Sequence, residues 1–375
     1  MDYALSEEQE ILKKFARDFL TEKFNKKSIS ALEAGNGHSP EIWNEMSLLG
    51  WQGLAFPDTF GGAGMSFLDL GVLLEEMGKA GAVSPYFSAI LLGGIPIYYF
   101  GNEEQKAELL PRISSGELLI SLASYEKESR LDAASMSTKA TRKGNSYSIS
   151  GTKLFVPYAQ ICQKLIVLAK TDEKAEIKDS FTLFIVDNAG SSIKVAAHST
   201  RVDKMCQVVF QDVEIPQKNV LGEPNRGWPI LMQIMDSAVI ARCCQMLGLA
   251  QKAFDTTIDY IKQRKQYGRP VGTFQAMQHH AAELLTDIYG MRVGVYRAAW
   301  LHSKGKPCSR EAAIAREYTL QASERIVSLT HQMHGAIGVT LDYDLRLYTM
   351  PLKAYQIELN NLDYFSTILS REIGL

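Results

Sequence analysis

The stretch Arg264-Lys-Gln-Tyr-Gly-Arg-Pro-Val-Gly-Thr-Phe-Gln275 sets two guanidinium groups, Arg264 and Arg269, around the aromatic Tyr267. Gly268, Pro270 and Gly272 punctuate it as a turn. Guanidinium forks beside helix ends suit an anion, so the chemistry this pattern supports is phosphate binding. The same composition also suits a solvated connection between two helices. Other candidates offer less. His279-His280 and His331-x-x-His334 could share helix faces, but no carboxylate follows at metalloprotease spacing, and hydrogen-bonded or surface histidines account for them without a metal. Cys243-Cys244 lies in a helical run where thiols are core residues, and no G-x-S-x-G supplies a serine nucleophile.

Two long helices must position the Arg264 turn. Upstream, Trp228, Leu231, Ile234, Met235, Ile240, Leu247, Leu249, Phe254, Ile258 and Ile261 keep a helical period, and Ala276 to His302 does so downstream. Gly268 and Pro270 are expected to end the first helix, and Gly272 and Thr273 to open the second. Nearer the N-terminus, Ser6/Gln9, Ser66/Asp69 and Asn102/Gln105 have capping-box spacing, and Ser39-Pro40-Glu41 opens a further helix. Gly61-Gly-Ala-Gly64 lacks the order of a nucleotide fingerprint and reads as a loop needing positive backbone angles. From Leu118 the period shortens: Leu118 to Ala123, Ser146 to Ser150, Leu165 to Ala169, Phe181 to Val186 and Val208 to Ile215 read as strands of a small antiparallel domain. The predicted class is therefore α+β, with an N-terminal α-helical domain (1–117), a middle β domain (118–226) and a C-terminal helical domain (227–375).

A chain of 375 residues that is 46% hydrophobic can bury a large core. Its formal net charge of -2 gives no electrostatic case for nucleic acid. Five cysteines without metal-ligand spacing fit a reduced compartment, and no leader or membrane-inserting run is expected, so the sequence reads as soluble and cytoplasmic. Pattern and spacing stop at a three-lobed protein with a phosphate corner and no identifiable reaction.

The order of lobes and several motifs resemble the acyl-CoA dehydrogenase family over almost the full length. Leu5-Ser-Glu-Glu-Gln9, the Gly50 to Gly64 segment, Gly151-Thr-Lys-Leu-Phe155, Val213-x-Ile-Pro216 with Leu221-Gly222, Arg264 to Gln275, and Gln332-Met-His-Gly-Ala-Ile-Gly338 carry the likeness. A narrower similarity to the small subunit of pimeloyl-CoA dehydrogenase, and to like subunits of heteromeric enzymes, rests on Arg264 to His279, Tyr125 to Asp132 and the ending Gly374-Leu375.

The resemblance implies FAD, α,β-dehydrogenation of an acyl-CoA thioester with a dicarboxylic or other unusual chain left open, and an electron-transfer flavoprotein as acceptor. It implies a large acyl-CoA dehydrogenase subunit as partner, or self-association into a tetramer. A non-redox acyl-CoA-binding or structural subunit is the alternative. Phe155 and Tyr125 would lie by the flavin ring. Arg264, with Tyr267 and Gln275 beside it, would meet the FAD pyrophosphate of a neighbouring subunit, and Gln332, Gly335 and Ala336 the FAD phosphate and adenosine end. Three positions depart from the family. Tyr125 stands for a threonine, Pro157 for a hydroxyl residue, and the C-terminal Glu-Gly-Thr is missing. Counting from Gly338 puts the base position on Leu359, and the alternative helix position falls on Ala238. Glu358, one residue away, is the candidate base; Asp342 and Glu126 suit cap or surface roles better.

Overall fold

The computed structural model describes residues 4–127, 132–172, 176–200 and 202–372. Residues 128–131 of the Tyr125 to Asp132 stretch and the Gly374-Leu375 ending lie outside them. The elements fall into two compact units.

One unit gathers the chain through Ala31, Ser66–Ala82, and the chain from Val239 onward. It holds α1 (Glu7–Lys23), α4 (Phe67–Ala80), most of α7 (Gly227–Gln263), α8 (Gln275–Ser303), α9 (Ser309–His334), α10 (Arg346–Asn360) and α11 (Asp363–Glu372). The capping boxes form as read: Ser6 Oγ accepts the Gln9 N–H and Gln9 Oε1 accepts the Ser6 N–H, and Ser66 and Asp69 repeat the exchange. Losing such a cap costs about 1 kcal/mol. Helices α4 and α7 cross with backbones in contact, because a Cβ at Gly78 would lie 2.1 Å from the Gln245 carbonyl oxygen and one at Gly248 would lie 1.9 Å from that of Glu75. Beside the crossing, the buried Glu75 carboxylate accepts from Arg292 and from the Tyr296 hydroxyl and pairs with Lys79. Helix α7 is long and apolar enough to cross a bilayer, but 94% of its most apolar window is buried, as in a core helix. Cys243 and Cys244 sit in it, and burial pushes the Cys243 thiol up to about 12.

The other unit comprises Leu32–Met65 and Val83–Ala238. Its helices include α3 (Pro40–Leu48), α5 (Ile95–Phe100) and α6 (Glu103–Ser114); the short α2 (Lys26–Ala34) precedes them in the chain. Its sheet has eight strands: β1 (Ile120–Ala123), β2 (Lys139–Lys143), β3 (Ser146–Pro157), β4 (Lys164–Lys170), β5 (Phe181–Asp187), β6 (Ile193–Ala197), β7 (Met205–Pro216) and β8 (Val220–Leu221). The order is β6-β7-β3-β2-β4-β5-β8, antiparallel except that β1 runs parallel to β4 and β2 touches β4 in parallel at Lys139 and Lys170. Among the elements that the sequence periodicity does not reveal, β2 and the Phe87–Gly94 segment escape it for physical reasons. Strand β2 is Lys/Arg-rich and largely exposed, so it shows no apolar alternation. The Phe87–Gly94 segment is a π-helix buried on all sides, which leaves no amphipathic period to read.

Candidate active site

In the sheet-bearing unit, Phe155 sits where β3 breaks register with β7, between Lys153 and Val156. Its φ of 53° is strained for an aromatic residue, and the residue is 58% exposed. A bulge that turns an apolar ring outward is the expected device for presenting it to a ligand. The Leu154 N–H donates to the Tyr125 carbonyl oxygen at 2.9 Å, tying the Tyr125 loop to this strand. Beneath lies an ion pair: the Lys153 ammonium, wholly buried, donates to Glu126 Oε1 at 2.7 Å. Glu126 also accepts from the Ser137 N–H and hydroxyl and from the Thr138 N–H. Burial alone would push the Glu126 carboxyl up, but the Lys153 charge and the Ser137 donors outweigh it and hold it at about 2. Complete burial pulls Lys153 below the ordinary lysine range against the opposing Glu126 charge. Glu126 is thus a buried anchor and not the surface residue the sequence suggested. Pro157 ends β3 opposite Met205 and offers neither hydroxyl nor N–H.

In the helical unit, the Arg264 corner is a miniature hairpin and not a plain helix stop. Strands β9 (Lys265–Gln266) and β10 (Arg269–Pro270) pair around Tyr267 and Gly268, both at positive φ (52° and 79°), as a two-residue turn with left-handed central residues requires. Closure comes from the Val271 N–H on the Arg264 carbonyl at 2.7 Å. The Arg269 guanidinium stacks 4.2 Å over the Phe274 ring. Arg264 and Gln275 are exposed, and Tyr267 is 94% exposed.

Helix α9 ends at His334, and Gly335 (φ 67°, ψ -149°) redirects the chain into the one-turn segment Gly335–Val339. Gln332, Gly335 and Ala336 are exposed there. The two ends meet through aromatic rings: Tyr260, whose carbonyl accepts the Arg264 N–H at 2.8 Å, stacks on His334 at 4.5 Å. His331 contacts Thr349 Oγ1 at 3.0 Å, so the His331 and His334 rings are held within the protein fabric.

Glu358 lies elsewhere in the same unit, on α10. Its carboxylate pairs with Arg242 of α7, Oε2 at 3.3 Å from Nε and Oε1 at 3.4 Å from Nη2. Arg242 is 1% exposed, stacks 3.9 Å over the Tyr355 ring and donates to Gln245 Oε1 at 2.7 Å. Leu359 is buried, its carbonyl accepting from Arg316 Nε at 3.0 Å, and Ala238 is buried. Asp342 is exposed and its carbonyl accepts from Lys26.

The fold therefore ties the end of α7, which carries Arg264, to the end of α9, which carries Gln332, Gly335 and Ala336, through the Tyr260–His334 stack, and in the other unit it ties the Tyr125 loop to the strand of Phe155. Sequence reasoning missed Arg242, Lys153 and Tyr260. A lysine inside a β run and an arginine inside an apolar helix were the available signals, since a buried cation demands a partner. The residues present fit FAD: an exposed arginine and a side-chain-free Gly335 with open space around it can take the anionic pyrophosphate, and an exposed aromatic ring can face an isoalloxazine.

Three family models match the chain: acyl-CoA dehydrogenase N-terminal domain over residues 6–117, middle domain over 121–213 and C-terminal domain over 225–359. Short/branched chain specific acyl-CoA dehydrogenase of Bos taurus is 33% identical over 305 residues, 80% of this chain and 70% of its own. The caffeyl-CoA reductase-Etf complex subunit CarC of Acetobacterium woodii is 29% identical over 92% of each chain. The structure of butyryl-CoA dehydrogenase from Megasphaera elsdenii superposes with a TM-score of 0.93 at 27% identity over 100% of both chains. An N-terminal set of helices, a middle β-sheet and C-terminal helices, with those matches over nearly its whole length, mean that this chain belongs to the acyl-CoA dehydrogenase family, FAD-dependent oxidoreductases that act on the CH–CH bond of acyl-CoA thioesters.

Proposed function

We propose that this chain is one subunit of a mixed acyl-CoA dehydrogenase, in the manner of the small subunit of pimeloyl-CoA dehydrogenase, and that a second acyl-CoA dehydrogenase chain supplies the carboxylate base. The observation that carries this reading is the chemistry at the base positions. Leu359 and Ala238 are buried and apolar, and Glu358, the carboxylate that precedes Leu359 in the chain, is paired with Arg242. A general base must reach the proton it removes, and neither a leucine nor an alanine can take one. Bound FAD would supply the acceptor for the β-hydrogen of the thioester, which leaves as hydride. Phe155 and Tyr125 would lie at the ring of a flavin, and Arg264, Tyr267, Gln275, Gln332, Gly335 and Ala336 would meet the phosphate and adenosine end of the flavin of a neighbouring subunit. An electron-transfer flavoprotein takes the electrons, a reading supported by the Etf complex to which the Acetobacterium woodii relative belongs by name.

A second reading keeps Glu358 as the base of a self-associated tetramer. It draws on the 32% exposure of the Glu358 side chain, which leaves part of the carboxylate reachable. Anaerobic visible spectra decide between the two. The purified chain is expected to carry flavin that bleaches with an acyl-CoA only when a partner acyl-CoA dehydrogenase chain is present. Bleaching by the chain alone, abolished in Glu358→Gln, would sink the mixed assembly.

A further inference from the structure

We infer that Tyr260 and His334 are positioning residues that hold the Arg264 corner and the Gln332–Ala336 loop as one anion-binding surface for the pyrophosphate half of FAD. The inference rests on the flavin reading above. His334 cannot meet a ligand itself, because it is 4% exposed. Its Nδ1 lies 2.7 Å from the Thr330 carbonyl, which can only accept, so Nδ1 carries the hydrogen and Nε2 is left to accept the Tyr343 hydroxyl at 3.2 Å. These two bonds fix the imidazole plane. Tyr260 stacks on that plane at 4.5 Å and 24°, and Tyr343 closes the cluster edge-on to Tyr260 at 6.0 Å and 73°.

Each ring sits on a helix end that leads into a flavin-facing segment. Tyr260 lies one helical turn before Arg264 and its carbonyl holds the Arg264 N–H, so displacing the ring moves the end of α7. His334 is bonded to Gly335, and the Gly338 backbone packs against it, since a Cβ there would lie 2.9 Å from His334 Cβ. The stack thus transmits position from α9 to α7. A phosphate site made of two separate segments needs such a brace, because a displacement on the order of an ångström defeats charge-assisted hydrogen bonds that are short and directional.

The test titrates FAD, ADP and FMN into the flavin-stripped protein in its native assembly. Tyr260→Leu is expected to weaken FAD and ADP about tenfold or more, a change of about 1.4 kcal/mol. FMN, which lacks the adenosine half, is expected to bind unchanged, and Tyr260→Phe, which keeps the stack, to restore FAD and ADP. In the Arg264→Ala background Tyr260→Leu should add little, because both act on one surface. Additive losses would overturn the inference, as would unchanged FAD affinity or FMN falling in step with FAD. Should Tyr260→Leu not fold, His334→Gln gives the same readout. If Arg264→Ala itself leaves FAD affinity unchanged, the flavin reading fails; if it weakens FAD while Tyr260→Leu does not, the brace alone fails.

Discussion

Glu358 on α10 and Arg242 on α7 form an ion pair whose two halves have unequal surroundings, the guanidinium 1% and the carboxylate 32% exposed. Tyr355, three residues before Glu358 and on the same helix face, stacks on the guanidinium at 3.9 Å. Removing the carboxylate takes from the buried guanidinium the charged partner it holds on α10.

Glu358→Leu should therefore destabilise the protein. Breaking a fully buried pair costs about 3–5 kcal/mol, and solvent screening of the part-exposed carboxylate reduces this to about 1–3 kcal/mol. The double variant Arg242→Leu with Glu358→Leu should recover much of the loss, since an apolar pair is often as stable as the ionic one. Urea unfolding of the four proteins of the cycle measures this. A double variant as unstable as the sum of the singles would show that the two residues do not act as a pair.

Acid should weaken each unit through one buried carboxylate. Burial opposes ionisation of Glu75, but the charges of Lys79 and Arg292 prevail and hold it at about 2, and Glu126 is held at about 2 by Lys153. Both lie below the ordinary value of 4.5. A depressed folded-state pKa contributes stability that is complete above the unfolded value and is lost as the carboxylate protonates, so the window runs from about pH 4.5 down to about pH 2. Each group contributes on the order of 3 kcal/mol across it. Urea midpoints between pH 6 and pH 3 should fall steeply, and Glu126→Gln should flatten part of that slope at the expense of stability at neutral pH. A midpoint independent of pH in the parent protein would contradict the account.

How far the sequence could be read follows from where the physics is local. The capping boxes at Ser6, Ser66 and Asn102 formed because a cap is decided by residues three apart. The glycines of Gly61 to Gly64 form the expected loop, with Gly61 and Gly64 at positive φ. What stayed hidden depends on neighbours far along the chain. Nothing near Arg242 announces Glu358, 116 residues away, and nothing near Lys153 announces Glu126, 27 residues before it. The exit from α7 was legible as a turn, but not as a hairpin, because Lys265 and Gln266 carry no strand propensity and pair only once Tyr267 and Gly268 have turned left-handed.

At Gly335, backbone and ligand requirements coincide. Its φ of 67° with ψ of -149° is a conformation that residues with a Cβ avoid, while a Cβ placed there would meet nothing within 4 Å. The cost of Gly335→Ala is thus backbone strain alone, about 1–3 kcal/mol, or else the chain leaves α9 along another path. Gly268 makes the control, since its φ of 79° is an ordinary left-handed turn with equally open surroundings and Ala there should cost about 1 kcal/mol. Gly335→Ala should therefore lower the melting temperature more than Gly268→Ala. It should also lose flavin on gel filtration, because relief of the strain swings Ala336 and the N–H groups of the Gly335–Val339 turn away from their shared surface with Arg264. Full flavin retention in a Gly335→Ala protein of lowered melting temperature would mean that the glycine serves only the exit from α9 and that the phosphates are held elsewhere.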